Sequence, residues 1–198
     1  MPKNTFFHLP QSKQQQIEQV LKQEFESNPF GETAVQHIVA KLGIARGSFY
    51  QYFESLQDSY FYILHKHLAN THQIFLQLYQ NKQGDLHCAL QAYGTHIAEH
   101  IFHEDVYNLY KQRYLYWNAS MEQAWRAYIP KECAQNILAQ QPAMSMEAFR
   151  FLSGAMHNLI QRLFVEQWNK EEFLAHYAQY TTWILEGLTY DEHHGATV

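Results

Sequence analysis

Residues 96–100 read His-Ile-Ala-Glu-His, with His103 three positions on. Side chains four apart share a helix face, so His96 and His100 can hold a zinc ion with Glu99 beside it. That order is one a zinc hydrolase uses. Such an enzyme also needs a ligand from a distant element and a catalytic domain around the metal. With 13 histidines in the chain, a five-residue coincidence arises easily. As solvated side chains, pocket walls or a regulatory metal site, these histidines have other uses, and the sequence leaves those uses open. Gly94 and Gly154 stand alone, so no phosphate-cradling loop appears, and no nucleophile–base pair is readable. Two cysteines, Cys88 and Cys133, are too few for a disulfide scaffold and read as reduced thiols. The expectation is a protein that is not an enzyme, with no catalytic residue, no cofactor and no assigned metal.

A second set of residues suits recognition rather than catalysis. Arg46, Gly47, Ser48, Tyr50, Gln51 and Tyr52 cluster within seven positions. A guanidinium pairs with guanine O6 and N7, hydroxyls hold phosphates, and a glycine lets backbone approach closely. The elements that must position them follow from the apolar spacing. Val35, Ile38, Val39 and Leu42 mark one short helix, capped by Thr33 and ended by Gly43 in a left-handed turn. Ala45–Phe53 is the next, with Phe49 and Phe53 facing inward. Ahead of both, residues 12–26 form a helix with Ser12 as cap, closed by Asn28-Pro29-Phe30-Gly31. Helix, glycine turn and helix within about twenty residues is a helix-turn-helix.

The stretch from Thr33 to Ser55, and above all Leu42-Gly43-Ile44 and Gly47-Ser48-Phe49-Tyr50-Gln51-Tyr52-Phe53, resembles the DNA-binding domain of TetR/AcrR transcription regulators. The resemblance covers about residues 10–65. It implies base reading by Gln36 and Arg46, and phosphate contacts from Ser48, Tyr50 and Tyr52, with His37 near the backbone. Two positions depart from the family pattern: Ala34 replaces a phosphate-binding threonine, and Leu56 replaces a lysine at the start of the fourth helix. Fewer phosphate contacts and a shallower salt dependence follow.

Downstream, Ser55 and Asp58 cap a helix expected to run to about Tyr79. Helices are expected at about 86–102, 105–117, 120–139, 145–168 and 170–189, with Pro130 kinking or splitting the third and the residues after Asp191 frayed. The resemblance implies an effector pocket among the middle helices, and their aromatic load suits one. Tyr93, His96, His100, Tyr110, Tyr114, Trp117 and His157 are the candidate lining, for an aromatic or cationic hydrophobic ligand. It also implies a dimer through the last two helices. Phe149, Leu152, Met156, Leu159 and Leu163 line one, and Tyr177, Tyr180, Ile184 and Leu188 the other. An internal core stripe is the competing reading of the same residues.

The chain of 198 residues carries a formal charge of −5, which excludes a uniformly basic nucleic-acid binder. Residues 1–53 hold five basic and four acidic side chains, whereas residues 54–198 hold nine and fifteen, so the acidity lies away from the reading head. Eight glycines and five prolines, with none of the latter between Pro29 and Pro130, favour helices. No apolar run is long enough for a membrane span and the N-terminus lacks a signal peptide's apolar core, so a cytoplasmic setting is expected. The resulting expectation is all-α, about nine helices. Residues 1–54 are the helix-turn-helix domain and 55–198 the effector-binding and dimerisation domain, joined by the fourth helix at about 55–79. Its partners are a palindromic double-stranded operator, a second copy of the chain and a small effector that releases it from DNA. The alternative is a helical small-molecule or metal-binding protein whose DNA module no longer functions.

Overall fold

A computed structural model describes residues 1–68, 70–129 and 144–194, with side chains up to residue 187. Every regular element among the described residues is helical. Packing divides the chain into two compact units: residues 1–68 with 104–129, and residues 70–103 with 144–194.

The first unit begins with α1 (Asn4–Phe7), a single turn, followed by α2 (Gln11–Ser27). Pro10, not Ser12, is the N-cap of α2, at φ −51° and ψ 141°. Proline's fixed φ favours entry into a first turn, which leaves Ser12 inside the helix. A 3-10 turn (Phe30–Glu32) leads to α3 (Val35–Leu42) and α4 (Arg46–Tyr52). Thr33 does not cap α3 either. Its hydroxyl donates to the Pro29 carbonyl at 3.2 Å, closing the 3-10 turn, and Ala34 takes the cap position without a side-chain bond. Gly43 adopts the expected left-handed conformation at φ 63°. Phe6, Leu21, Phe25, Ile38, Phe49 and Phe53 form the interior of this unit, each no more than 1% exposed.

The long helix expected over 55–79 is two helices, α5 (Leu56–His67) and α6 (Thr71–Asn81). Ser55 caps α5 as expected, accepting the Asp58 N–H at 3.1 Å, and the Asp58 carboxylate reaches back to the Glu54 N–H at 3.1 Å. Leu68 then turns extended, and Asn70 caps α6 by accepting the Gln73 N–H at 3.2 Å. Asparagine is a strong N-cap, yet the apolar periodicity runs on across it and hides the break. Two further helices complete the first unit, α8 (Glu104–Tyr116) and α9 (Ala119–Tyr128). The rest of the helix expected over 120–139, with Pro130 and Cys133, lies outside the described residues.

In the second unit α6 is joined by α7 (Leu86–Ile101), α10 (Met146–Val165) and α11 (Lys170–His194). The last helix extends past the expected residue 189. Tyr177 lies against the α7 backbone at Gly94, where a β-carbon would meet its ring at 2.3 Å. The stripe expected to meet a partner is largely buried within the single chain. Phe149, Leu152, Met156, Leu159, Leu163, Tyr177 and Ile184 are buried within the subunit and Tyr180 half-buried. The side chain of Leu188 is outside the described residues. The most apolar face of each helix is consumed by the core nearest to it, here α6 and α7.

Candidate nucleic-acid interface and effector cavity

Recognition requires a helix anchored on one face and polar on the other. Phe49 and Phe53 anchor α4, with ring centroids 5.4 Å apart. Opposite them Arg46, Gly47, Tyr50 and Gln51 are exposed, and Ser48 and Tyr52 are half-buried. The Arg46 guanidinium lies 5.9 Å from the centre of the Tyr50 ring, a cation–π distance that orients both. Gln36 and His37 are exposed on α3. Buried Glu24 ties α3 to α2, taking Lys41 Nζ at 2.7 Å and lying 3.6 Å from His37 Nδ1. His37 thus sits beside a structural ion pair. Lys41's charge is likewise partly spent inside the protein.

The far end of α4 is held by residues that sequence reasoning did not single out. The backbone N–H of Lys3 donates to the Tyr52 carbonyl at 2.8 Å, Lys3 Nζ donates to the Tyr50 carbonyl at 2.9 Å, and the Thr5 hydroxyl donates to the Gln51 carbonyl. Three of the last carbonyls of the helix, which have no partner within it, are thereby satisfied. A cation at a helix C-terminus also complements the dipole. Phe6 plugs this segment into the interior, 5.3 Å from Phe53. The signal was Phe6-Phe7 just ahead of Pro10, an apolar pair outside every expected helix.

The second unit contains a cavity lined by Thr71, His72, Phe75, Leu90, Tyr93, Phe149, Leu152, Ser153, Met156 and His157. Of the expected pocket residues it gathers Tyr93 and His157. The imidazoles of His72 and His157 stack at 5.1 Å, and His72 Nε2 lies 2.5 Å from Ser153 Oγ. His72, Phe75 and Ser153 escaped sequence reasoning because each lies on a helix whose pattern is read as ordinary core. His96 is exposed on α7. Half-buried His100 has its pKa lowered by burial and by the nearby His96 and His103. Neither histidine lines this cavity.

Tyr110, Tyr114 and Trp117 belong to the first unit. There Arg113 lies 4.0 Å from the Trp117 ring centre and 5.2 Å from that of Trp125, and Trp117 Nε1 donates to Glu122 at 2.9 Å. Burial raises the Tyr114 pKa, keeping it a neutral phenol. Tyr114 and Trp117 lie against this arginine, Tyr110 packs on Tyr114, and none of the three is among the residues lining the cavity of α6, α7 and α10.

The His96, Glu99, His100 and His103 donors do not converge into a metal-sized set. Among the described residues Asp85, His87 and Cys88 do, with ligand atoms within 4.8 Å of one another. Asp85 is occupied as the cap of α7, accepting the Cys88 N–H at 2.9 Å. Its carboxylate also pushes the Cys88 thiol up, which keeps it protonated.

Among the described residues no helix is long and apolar enough to cross a membrane. The family described as "Bacterial regulatory proteins, tetR family" matches residues 19–58. "Tetracyclin repressor, C-terminal domain" matches residues 86–187, just over half of the chain. The structure is similar to a crystal structure of a TetR family transcriptional regulator from Chloroflexus aurantiacus J-10-FL. The identity is 24% over 96% of this chain and 95% of that one, with a TM-score of 0.50, a likeness of fold. No curated protein gives a significant match. The exposed polar face of α4, the glycine turn before it and these two family matches agree: the chain belongs to the TetR family of DNA-binding transcription regulators.

Proposed function

We propose that the chain is a homodimeric repressor, set in the cytoplasm, that grips a two-fold operator with α4 in the major groove and lets go when a small molecule enters the cavity of α6, α7 and α10. The observation that carries the DNA part is α4 itself. Its aromatic face is buried, its C-terminal end is fixed, and Arg46, Gln51 and Tyr50 are exposed on it. Arg46 supplies the bidentate guanine contact, worth about 1–3 kcal/mol of discrimination. Ser48, Tyr50 and Tyr52 hold phosphates, and Gln36 reads a base from α3. Two such helices about 34–36 Å apart fit successive major grooves, which a dimer provides.

The pairing surface follows from what burial leaves over. Phe151, Gly154, Asn158, Gln161 and Val165 are all exposed on α10, at alternating spacings of three and four residues. That is the repeat of a helix–helix seam. Phe151 is 59% exposed and Val165 61%, while Trp183 of α11 is 57% exposed. These outer faces, not the buried stripe, meet the partner in an intersubunit bundle.

Release runs through the chain itself. Thr71 and His72 line the cavity and stand in the first turn of α6, four residues after α5 ends at His67. A ligand that shifts this turn pulls on α5, whose Phe61, Ile63 and Leu64 belong to the core beneath the reading helices. DNA affinity falls to the extent that the ligand favours the shifted state. The test is a gel shift on DNA flanking the protein's own gene. Wild type gives a discrete complex and Arg46→Ala loses it; an unshifted probe with wild-type protein at micromolar concentration contradicts the proposal.

A further inference from the structure

The cavity's lining says which class of molecule it takes, an inference that rests on reading it as the effector site. Its walls are apolar and aromatic: Phe75, Leu90, Tyr93, Phe149, Leu152 and Met156. Its titratable groups are His72 from α6, Tyr93 from α7 and His157 from α10, and Tyr177 of α11 stands behind Tyr93 at 6.5 Å between ring centres. No carboxylate is among the described lining residues, so a cationic ligand would lose its hydration without gaining a counter-charge from them. Of the aromatic or cationic hydrophobic ligand expected from the sequence, this favours the aromatic one. The two stacked imidazoles offer the opposite. At 5.1 Å they repel one another when both are charged, and an anion placed beside them removes that cost. We infer that the cavity takes a small aromatic monocarboxylic acid, whose carboxylate sits between His72 and His157 and whose ring lies among Phe75, Tyr93 and Phe149.

Binding is coupled to proton uptake from solvent, because the carboxylate stabilises the imidazolium form of one or both histidines. No covalent step is involved. The unliganded cavity has a volume of about 20 Å³, where one water needs about 10–15 Å³, so the acid must part its walls. The carboxylate replaces Ser153 Oγ as the partner of His72 Nε2, and His72 stands in the first turn of α6.

The test uses the full chain and three probes sharing one apolar skeleton: phenylacetate, 2-phenylethylamine and 2-phenylethanol. Calorimetry at pH 7.5 in two buffers of different ionisation heat reads affinity and proton uptake together. Phenylacetate binds at least about tenfold more tightly than the other two, with net uptake of about half to one proton. His157→Gln keeps volume and hydrogen bonding but not titration. It weakens phenylacetate at least about tenfold, one pKa unit's worth of coupling, and leaves 2-phenylethanol unchanged. An acid bound no better than the alcohol or amine, bound without proton uptake, or not bound at millimolar concentration overturns the inference. Operator release by each probe separates this inference from the effector reading. Release by the alcohol or amine but not by the acid sinks the acid assignment and keeps the effector site. Proton-coupled binding of the acid with unchanged operator affinity does the reverse.

Discussion

Tyr177 and Gly94 are in direct contact across two helices. The tyrosine ring occupies the space a β-carbon would need, 2.3 Å from its Cε1, and the hydroxyl donates to the Leu90 carbonyl at 2.6 Å. The contact sets how closely α11 approaches α7. Gly94→Ala therefore destabilises the protein by about 1–3 kcal/mol through overpacking. Tyr177→Phe removes only the hydrogen bond and costs about 0.5–1.5 kcal/mol. Urea unfolding of both variants checks the order: the alanine at residue 94 is the more damaging change.

The seam of Phe151, Gly154 and Val165 predicts a separation between stability and association. Phe151→Asp shifts the protein towards monomer in sedimentation and leaves the urea midpoint of the monomer nearly unchanged. Leu159→Ala, in the buried stripe, does the opposite and costs about 2–5 kcal/mol. If Leu159→Ala dissociates the dimer and Phe151→Asp does not, the outer face is the wrong surface.

The clamp on the recognition helix predicts effects from residues outside the helix-turn-helix. Lys3→Met combined with Thr5→Val removes donors from the Tyr50 and Gln51 carbonyls. Operator affinity falls by about fivefold to tenfold, from hydrogen bonds worth about 0.5–1.5 kcal/mol each. Hydrogen exchange at the end of α4 rises in the same variant, which shows that the loss comes from that helix.

Stability falls on acidification, and His67 is one source. Burial lowers its pKa below the ordinary 6.5, and the nearby Lys22 and Lys66 lower it further. The buried Nε2 has no hydrogen-bond partner among the described residues. The unfolded chain therefore binds the proton more readily than the folded one. The neutral form's contribution is complete above pH 6.5 and is lost as pH falls through 6.5 towards the lowered folded pKa. His67→Gln flattens the pH dependence of the thermal midpoint between pH 7 and about pH 5. An unchanged slope removes His67 from the account.

Where local chemistry decides, the sequence was sufficient. Gly43 takes the only backbone conformation that closes the turn there, Phe49 and Phe53 are buried, and Ser55 caps α5. Where competition between equivalent local solutions decides, it was not. The apolar periodicity continues across Asn70, so a helix break is visible only once Leu68 is seen to leave the helix. The stripe through Leu152, Leu159 and Leu163 fits an interface or a core equally well by its spacing, and its burial within the single chain is visible only in the fold. The aromatics of α8 were expected in a pocket, but chain distance does not tell which unit a helix joins. The clamp from Lys3 and Thr5 is made largely of backbone acceptors, which carry no residue-type signature.

The charge on the reading head bears on salt. Arg46, Lys3 and Lys41 are its exposed cations, and Lys41 is paired with Glu24. Leu56, where a lysine is usual, is half-buried. The most direct measurement is fluorescence anisotropy of wild type and Arg46→Ala on DNA upstream of the gene and on unrelated DNA, from low to moderate salt. Wild type prefers the upstream DNA. Arg46→Ala loses about 1–3 kcal/mol of that preference and keeps its weak binding to unrelated DNA. The logarithmic salt slope is about −4, as for roughly four to five neutralised phosphates per dimer. Equal loss on both DNAs, or no loss on either, would contradict the assignment of α4 as the reading helix.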